Sequence, residues 1–204
     1  MKFEHIPQFT RCAGYAVDIP WSHLLTSLKT YIEDYKLDID PDFQRAHVWD
    51  DTKRTRYVEY ALRGGMSGGD IYTNCPEWNN GGRDDFVLVD GKQRLEAVCK
   101  FLRNEIPAFG ALYNEYEDEL ILTGPRFRWH VNDLATRIEV LQWYLDLNTG
   151  GVIHTEDELD RVRGLLVAEK ANPNPKDVAR AKKRIKEAAE RKTRYAAQKE
   201  RRRG

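Results

Sequence analysis

The sequence predicts an α+β fold with a basic, helical C-terminal extension. Short runs of β-branched and other apolar residues at 70–73, 86–89 and 126–131 are typical of strands. Around them, apolar residues recur at intervals of three and four, which is the spacing of amphipathic helices. The chain has 204 residues, of which 41% are hydrophobic, so it can bury a core. We therefore expect one domain over residues 1–171, followed by a helical tail over residues 172–204.

Each predicted element depends on a local pattern. The first helix has an apolar stripe formed by Trp21, Leu24, Leu25, Leu28 and Ile32, and later helices follow polar capping residues. Helices are predicted over residues 21–35, 50–63, 92–102 and 134–147, then from a cap at Thr155 through Leu166, and finally over 176–203. Weaker strand signals lie at residues 37–44, 106–109 and 120–122.

The most informative stretch is the strand, turn and helix over residues 86–102. Asp90 and Gly91 end the apolar run, and Lys92, Gln93 and Arg94 follow in the first helical turn. A helix N-terminus has unpaired N–H groups and a partial positive charge, so added cations there favour a phosphate. These cations oppose the helix dipole by about 0.3–1 kcal/mol each, which indicates a role other than stability. The alternative is an ordinary strand-to-helix turn with solvated cations.

Three blocks of the sequence carry a resemblance to a known family. They are residues 40–49 (DPDFQRAHVW), 90–94 (DGKQR) and 147–151 (LNTGG). In this order and spacing they resemble the N-terminal domain family of GmrSD-type restriction endonucleases, which belongs to the ParB/sulfiredoxin-like superfamily. The resemblance extends over roughly residues 18–170. It implies a small mixed sheet surrounded by helices.

The resemblance also implies a function and a set of site residues. Domains of this family bind and hydrolyse a nucleoside triphosphate, so ATP or GTP and Mg²⁺ are the expected ligands. The residues expected to be catalytic are Asp90, Gln93, Arg94 and Gln44, with Asp90 also a candidate metal ligand. The residues expected to bind the nucleotide and its phosphates are Arg45, Gly91, Lys92, Arg94 and Asn148.

Two residues depart from the family pattern. Lys92 stands where the family usually has Gln, and lysine still suits a phosphate as a point charge. Asp146 stands where the family usually has Arg, which removes a positive charge from the third block. Related folds include phosphotransferases, which gives an alternative to hydrolysis. In this alternative the same pocket transfers a phosphoryl group to a hydroxyl of modified-base DNA, as a kinase would.

The charge distribution indicates a polyanionic partner. The chain is neutral overall, but residues 176–204 contain thirteen Lys and Arg against four Asp and Glu, a net charge of +9, so the remainder carries −9. We expect DNA as the partner, and a non-catalytic DNA-binding adaptor is a further alternative to an enzyme. A solvated helix without a partner would show the same pattern. The predicted DNA contacts are Lys182, Lys183, Arg184, Arg201, Arg202 and Arg203.

Compartment and other partners follow from weaker signals. No apolar run approaches the ~20 residues of a membrane span, and the first residues lack the apolar core of a signal peptide. Three cysteines without metal-binding spacing (Cys12, Cys75 and Cys99) suit a reducing compartment. We expect a cytoplasmic protein of a bacterium or a phage-infected host. Because the restriction enzymes of this family cut DNA with a second domain, a separate nuclease or modification subunit is an expected partner.

Overall fold

The computed structural model describes residues 15–44, 48–65, 67–82, 85–120, 124–149 and 156–201. Within these ranges it has six α-helices and a four-stranded mixed sheet, which confirms the predicted α+β class. Contacts divide the chain into two compact units, Met1–Leu134 and Ala135–Gly204. The division into residues 1–171 and 172–204 stays a prediction. No helix in the described ranges has the length and apolar character needed to cross a membrane.

The sheet belongs to the first unit and has the order β1-β4-β2-β3. Its strands are β1 (Tyr15–Pro20), β2 (Asp70–Asn74), β3 (Val87–Asp90) and β4 (Arg126–Asn132). Strand β4 pairs antiparallel with β1 and parallel with β2, whereas β2 and β3 pair antiparallel. The β2–β3 connection contains a short 3-10 helix, Trp78–Asn80, and Trp78 packs against the core as an anchor.

Alternation along the strands gives the sheet one apolar face and one polar face. Ile71, Phe127 and Trp129 are fully buried on the apolar face. The intervening residues of β2 and β4 are polar. Asp70, Tyr72 and His130 are partly buried, and Arg126 and Arg128 are exposed, whereas Asn74 and Asn132 at the strand ends are buried. The polar face carries Asp18, Asp70, Tyr72, Asp90, Arg128 and His130.

Three helices surround this sheet in the first unit: α1 (Trp21–Glu33), α2 (Asp51–Leu62) and α3 (Lys92–Leu102). All three were predicted, with ends that differ by one or two residues. Of the predicted stripe of helix α1, Trp21, Leu24 and Leu28 are buried and Leu25 is partly buried, whereas Ile32 near the end of the helix is exposed. Asp50 caps α2 by accepting a hydrogen bond from the Lys53 backbone N–H at 2.8 Å.

The second unit contains α4 (Arg137–Thr149), α5 (Glu156–Ala171) and α6 (Pro175–Arg201). Helix α4 begins three residues later than predicted because Glu139 accepts the backbone N–H groups of Ala135 and Thr136, which caps the helix at this point. Asp177 of α6 accepts the backbone N–H of Arg137 at 2.7 Å. The base of α6 is therefore fixed to the start of α4.

Several strand predictions were wrong. Residues 37–44 form only an isolated bridge from Asp38 to Val87, because Asp38 bonds the Asp40 N–H and a turn closes from Pro41 to Gln44. Residues 106–109 form a single bridge and a tight turn rather than a strand. Leu120 is not in a strand, while residues 121–122 and the predicted cap Thr155 lie outside the described residues.

Candidate functional site

The turn between β3 and α3 requires glycine. Gly91 has φ +106°, in the left-handed region, and α3 begins at the next residue. A Cβ atom at Gly91 would lie 2.5 Å from Ile71 Cδ1, inside van der Waals contact. The β2 strand therefore packs directly against the motif turn, and no larger residue fits there.

Arg94 is held beside this turn by two oxygen atoms. Its Nη2 donates to Asp90 Oδ2 at 2.8 Å and to the Asp70 carbonyl oxygen at 3.0 Å. A Cβ atom on Gly68 would lie 3.2 Å from Arg94 Cδ, so Gly68 lies close along this side chain. We call the stretch that contains Gly64, Gly65, Gly68 and Gly69 the glycine-rich segment. Tyr57 holds that segment by donating to the Gly68 carbonyl at 2.8 Å, and burial raises the pKa of Tyr57 to about 12. The guanidinium is thus fixed, and the Arg94 side chain as a whole is 22% exposed.

Three polar side chains form a row across the polar face of the sheet. Asp90 of β3 pairs with Tyr72 of β2, which pairs with His130 of β4. The Tyr72 and His130 rings stack with centroids 4.7 Å apart. His130 Nε2 lies 2.6 Å from Asp70 Oδ1. We call Asp70, Tyr72, Asp90, Arg94 and His130 the Arg94 cluster.

The pKa of Tyr72 reflects the carboxylates of this cluster. Partial burial raises the pKa of Tyr72, and the nearby carboxylates Asp70 and Asp90 raise it further. Arg94 acts in the opposite direction. Tyr72 therefore keeps its proton and can act as a hydrogen-bond donor.

Lys92 points away from Arg94. Residues two apart on a helix do not face each other, and the buried Lys92 Nζ forms an ion pair with Asp40. The structure thus connects Lys92 to the first family block, while Arg94 faces the sheet. The phosphate-binding role of Lys92 stays a prediction.

The two predicted glutamines hold backbone groups. Gln93 Oε1 accepts the N–H groups of Val48 and Trp49, each at 3.1 Å. Gln44 Nε2 donates to the carbonyl oxygens of Leu88 and Val89 at 3.1 and 2.7 Å. These bonds join the first block to the motif turn. Their catalytic roles stay predictions.

The remaining predicted residues lie elsewhere. Arg45, Arg202 and Arg203 are outside the described residues. Asn148 belongs to the second unit and donates to the Tyr144 carbonyl at 2.7 Å. On α6, Lys182 and Lys183 are exposed but Arg184 is only 7% exposed, so a DNA contact would require its guanidinium to move. The backbone of Arg201 lies in the last turn of α6.

A cleft of about 590 Å³ adjoins the Arg94 cluster through Asp70. Its walls include the glycine-rich segment and charged side chains of the polar sheet face, namely Asp18, Asp70, Arg126 and Arg128. Within the described ranges, no group of three or more His, Cys, Asp or Glu side chains could hold a metal ion by itself. A metal ion here would need ligands from a bound phosphate, and the metal-binding role of Asp90 stays a prediction.

The comparison with known families agrees with these motifs. Residues 28–202 match the family described as GmrSD restriction endonuclease, N-terminal domain. The chain belongs to this family. No curated protein and no solved structure matched the chain. The membership indicates a DNA-associated role in restriction or modification for this GmrSD N-terminal domain.

Sequence reasoning missed three members of the Arg94 cluster: Asp70, Tyr72 and His130. The available signal was alternation, because polar residues at every second position of a strand share one face. The segments Asp70–Asn74 and Arg126–Asn132 both show this pattern. Alternation does not reveal which strands are neighbours. The pairing of β2 with β4 is what brings Asp70 to His130.

Proposed function

We propose that this GmrSD N-terminal domain binds a nucleoside triphosphate with Mg²⁺ and hydrolyses it during DNA restriction or modification. The observation that carries the proposal is the fixed guanidinium of Arg94, which lies in the first turn of α3, three residues after the left-handed Gly91. Family membership supports it, since the same turn is the DGKQR block. A separate nuclease or modification subunit would then use the nucleotide-dependent state.

Arg94 suits the stabilisation of phosphate charge. A guanidinium has five N–H donors. Among the described residues Nη2 of Arg94 is committed to two oxygen atoms and its Nε is buried without a partner, so Nη1 is the group that would meet a phosphate. A fixed cation stabilises the charge that develops on a transferring phosphoryl group without having to reorganise. Mg²⁺, held by the phosphates and by Asp90, would neutralise the remaining charge.

The adjoining cleft supports a ligand of nucleotide size. Ligand sites commonly occupy about 300–1,000 Å³, and the cleft of about 590 Å³ lies within this range. Arg126 and Arg128 line it, so it offers two more cations beside the Arg94 cluster. This arrangement favours a phosphorylated ligand over a purely apolar one.

Calorimetry with ATP, GTP, CTP and UTP in the presence of Mg²⁺ tests binding. We expect at least one nucleotide to bind, and Arg94→Ala to weaken its affinity at least tenfold. Arg103→Ala is the matched control, since Arg103 is exposed at the opposite end of the same helix and should bind normally. If no nucleotide binds the wild-type protein, the proposal is wrong and a DNA-binding adaptor becomes the better account.

A further inference from the structure

His130 is the one histidine in the described ranges that lies within the Arg94 cluster. Its side chain is 26% exposed, so a ligand can reach it. One face of the ring is covered by Tyr72. On the other side the neighbouring strand contributes Ala16, an exposed residue whose side chain is a single methyl group. The ring is thus supported on one side and has room on the other.

The contact with Asp70 sets which nitrogen of His130 can act as a base. An ionised carboxylate can only accept hydrogen bonds, so Nε2 donates its proton to Asp70 Oδ1 across 2.6 Å. The lone pair is then on Nδ1. A histidine oriented in this way by a carboxylate is the arrangement that enzymes use for general-base catalysis.

Asp70 also connects His130 to Arg94. Its side chain contacts His130 Nε2, and its carbonyl oxygen accepts from Arg94 Nη2 at 3.0 Å. One residue therefore fixes both the base and the cation. Asp70 also lines the adjoining cleft.

We propose that His130 is the catalytic base of phosphoryl transfer at this site, with Asp70 as its positioning residue. This inference depends on the proposed nucleotide hydrolysis and deepens it. Nδ1 of His130 takes a proton from the attacking water as the water oxygen forms a bond to the γ-phosphorus. The bond from the γ-phosphorus to the β-phosphate oxygen breaks, and the diphosphate leaves with that electron pair. The imidazolium, stabilised by Asp70, then releases its proton to solvent.

Other charged and titratable groups also face this histidine. Tyr72 and Asp70 lie on β2, and Asp90 lies beyond Tyr72 on β3. Arg94 approaches from α3, and Arg128 lies two residues earlier on β4. From β1, Asp18 pairs with Arg128.

The test is a pH–rate profile of hydrolysis for wild type, His130→Gln and His23→Gln. His23 is the matched control because it is exposed on α1, beside Ser22. We expect His130→Gln to lower kcat by about 10²–10⁴-fold with little change in KM, and to lose the acidic limb of the profile. Added imidazole should accelerate His130→Ala, whereas His23→Gln should behave as wild type.

Two results would overturn the assignment without touching the proposed function. One is an active wild type whose His130→Gln variant keeps its rate. The other is a slow variant that keeps the acidic limb while His130→Ala gains nothing from imidazole, which would make His130 structural. If His130→Gln fails to fold, Asp70→Asn replaces it, and we expect kcat to fall with little change in KM because Nε2 of His130 loses the carboxylate that orients the ring. A rate equal to that of wild type would overturn the assignment of Asp70 as the positioning residue. A wild type without turnover would overturn the proposed function and this inference together.

Discussion

At the residue scale, the motif side chains perform different tasks. Gln93 bonds to backbone groups of the first block and Gln44 to the end of β3, so they hold the turn in shape. Arg94 is instead held by Asp90 and by the Asp70 carbonyl, and its side chain is partly exposed. A substitution at either glutamine should therefore mainly lower the stability of the turn. A substitution at Arg94 should mainly weaken ligand binding.

Gly91→Ala tests how strictly the turn depends on glycine. The substitution places a side chain in the left-handed region and 2.5 Å from Ile71 Cδ1. Together these effects should lower the free energy of unfolding by about 2–4 kcal/mol, measured by urea denaturation. Gly164→Ala is the control, since nothing lies within 4 Å of its added Cβ. Because Gly164 lies in the middle of α5, Gly164→Ala should raise the free energy of unfolding by roughly 0.5–1 kcal/mol. Equal stability of the two variants would contradict the packing described here.

At the element scale, the spacing of apolar residues predicted most helices, and three short apolar runs predicted strands β2, β3 and β4. These signals are local, since a stripe such as that of α1 needs only its own residues. The strand prediction over residues 37–44 was wrong because the buried Phe43 lies in a turn rather than a strand. The start of α4 was misplaced because the Glu139 carboxylate caps it from inside the helix. Hydrogen bonds between a side chain and nearby backbone groups are not visible in the hydropathy pattern.

Helix α6 carries the DNA prediction at this scale. Lys182 and Lys183 are exposed on it, so each can reach a phosphate. The double variant Lys182→Gln/Lys183→Gln should make the plot of log affinity for duplex DNA against log salt shallower by about 1.8, or about 0.9 for each lost contact. Fluorescence anisotropy at several salt concentrations measures this slope.

The matched control is Lys29→Gln/Lys36→Gln, which removes two exposed lysines from the first unit. Its slope should equal that of wild type. An unchanged slope in the α6 variant would mean that these lysines do not contact DNA. Truncation of α6 is a poorer test, because Asp177 bonds the Arg137 N–H and its loss would disturb α4 as well.

At the scale of the whole molecule, two partly buried tyrosines make the stability fall at alkaline pH. Burial raises the pKa of both Tyr31 and Tyr57 to about 12 from the usual value of 10.0. The unfolded chain therefore loses these protons first, so stability is complete below pH 10 and falls as the pH rises to about 12. Thermal melts from pH 8 to 11.5 should show this loss, and Tyr57→Phe should reduce it. Tyr60→Phe is the comparison of opposite sign. Tyr60 is exposed and its hydrogen bond with Ser67 lowers its pKa, so this variant should not reduce the alkaline loss of stability.

The composition of the candidate site was only partly predictable from sequence. The DGKQR block pointed to Asp90, Gly91 and Arg94, since these residues are adjacent in the chain. Asp70 and His130 are sixty positions apart, and only the parallel pairing of β2 with β4 brings them together. The separation of Lys92 from Arg94 was also not predictable from sequence, because it depends on the Asp40 contact as well as on helix geometry.

The most direct test of the account is a γ-phosphate-labelled turnover assay with Mg²⁺, with and without DNA, on wild type, Arg94→Ala and Arg103→Ala. We predict that wild type and Arg103→Ala release labelled free phosphate and that Arg94→Ala loses at least a hundredfold in rate. Label transferred to DNA would identify a kinase at the same site. No turnover by the wild type under either condition, or full turnover by Arg94→Ala, would contradict the central claim that Arg94 serves phosphoryl transfer.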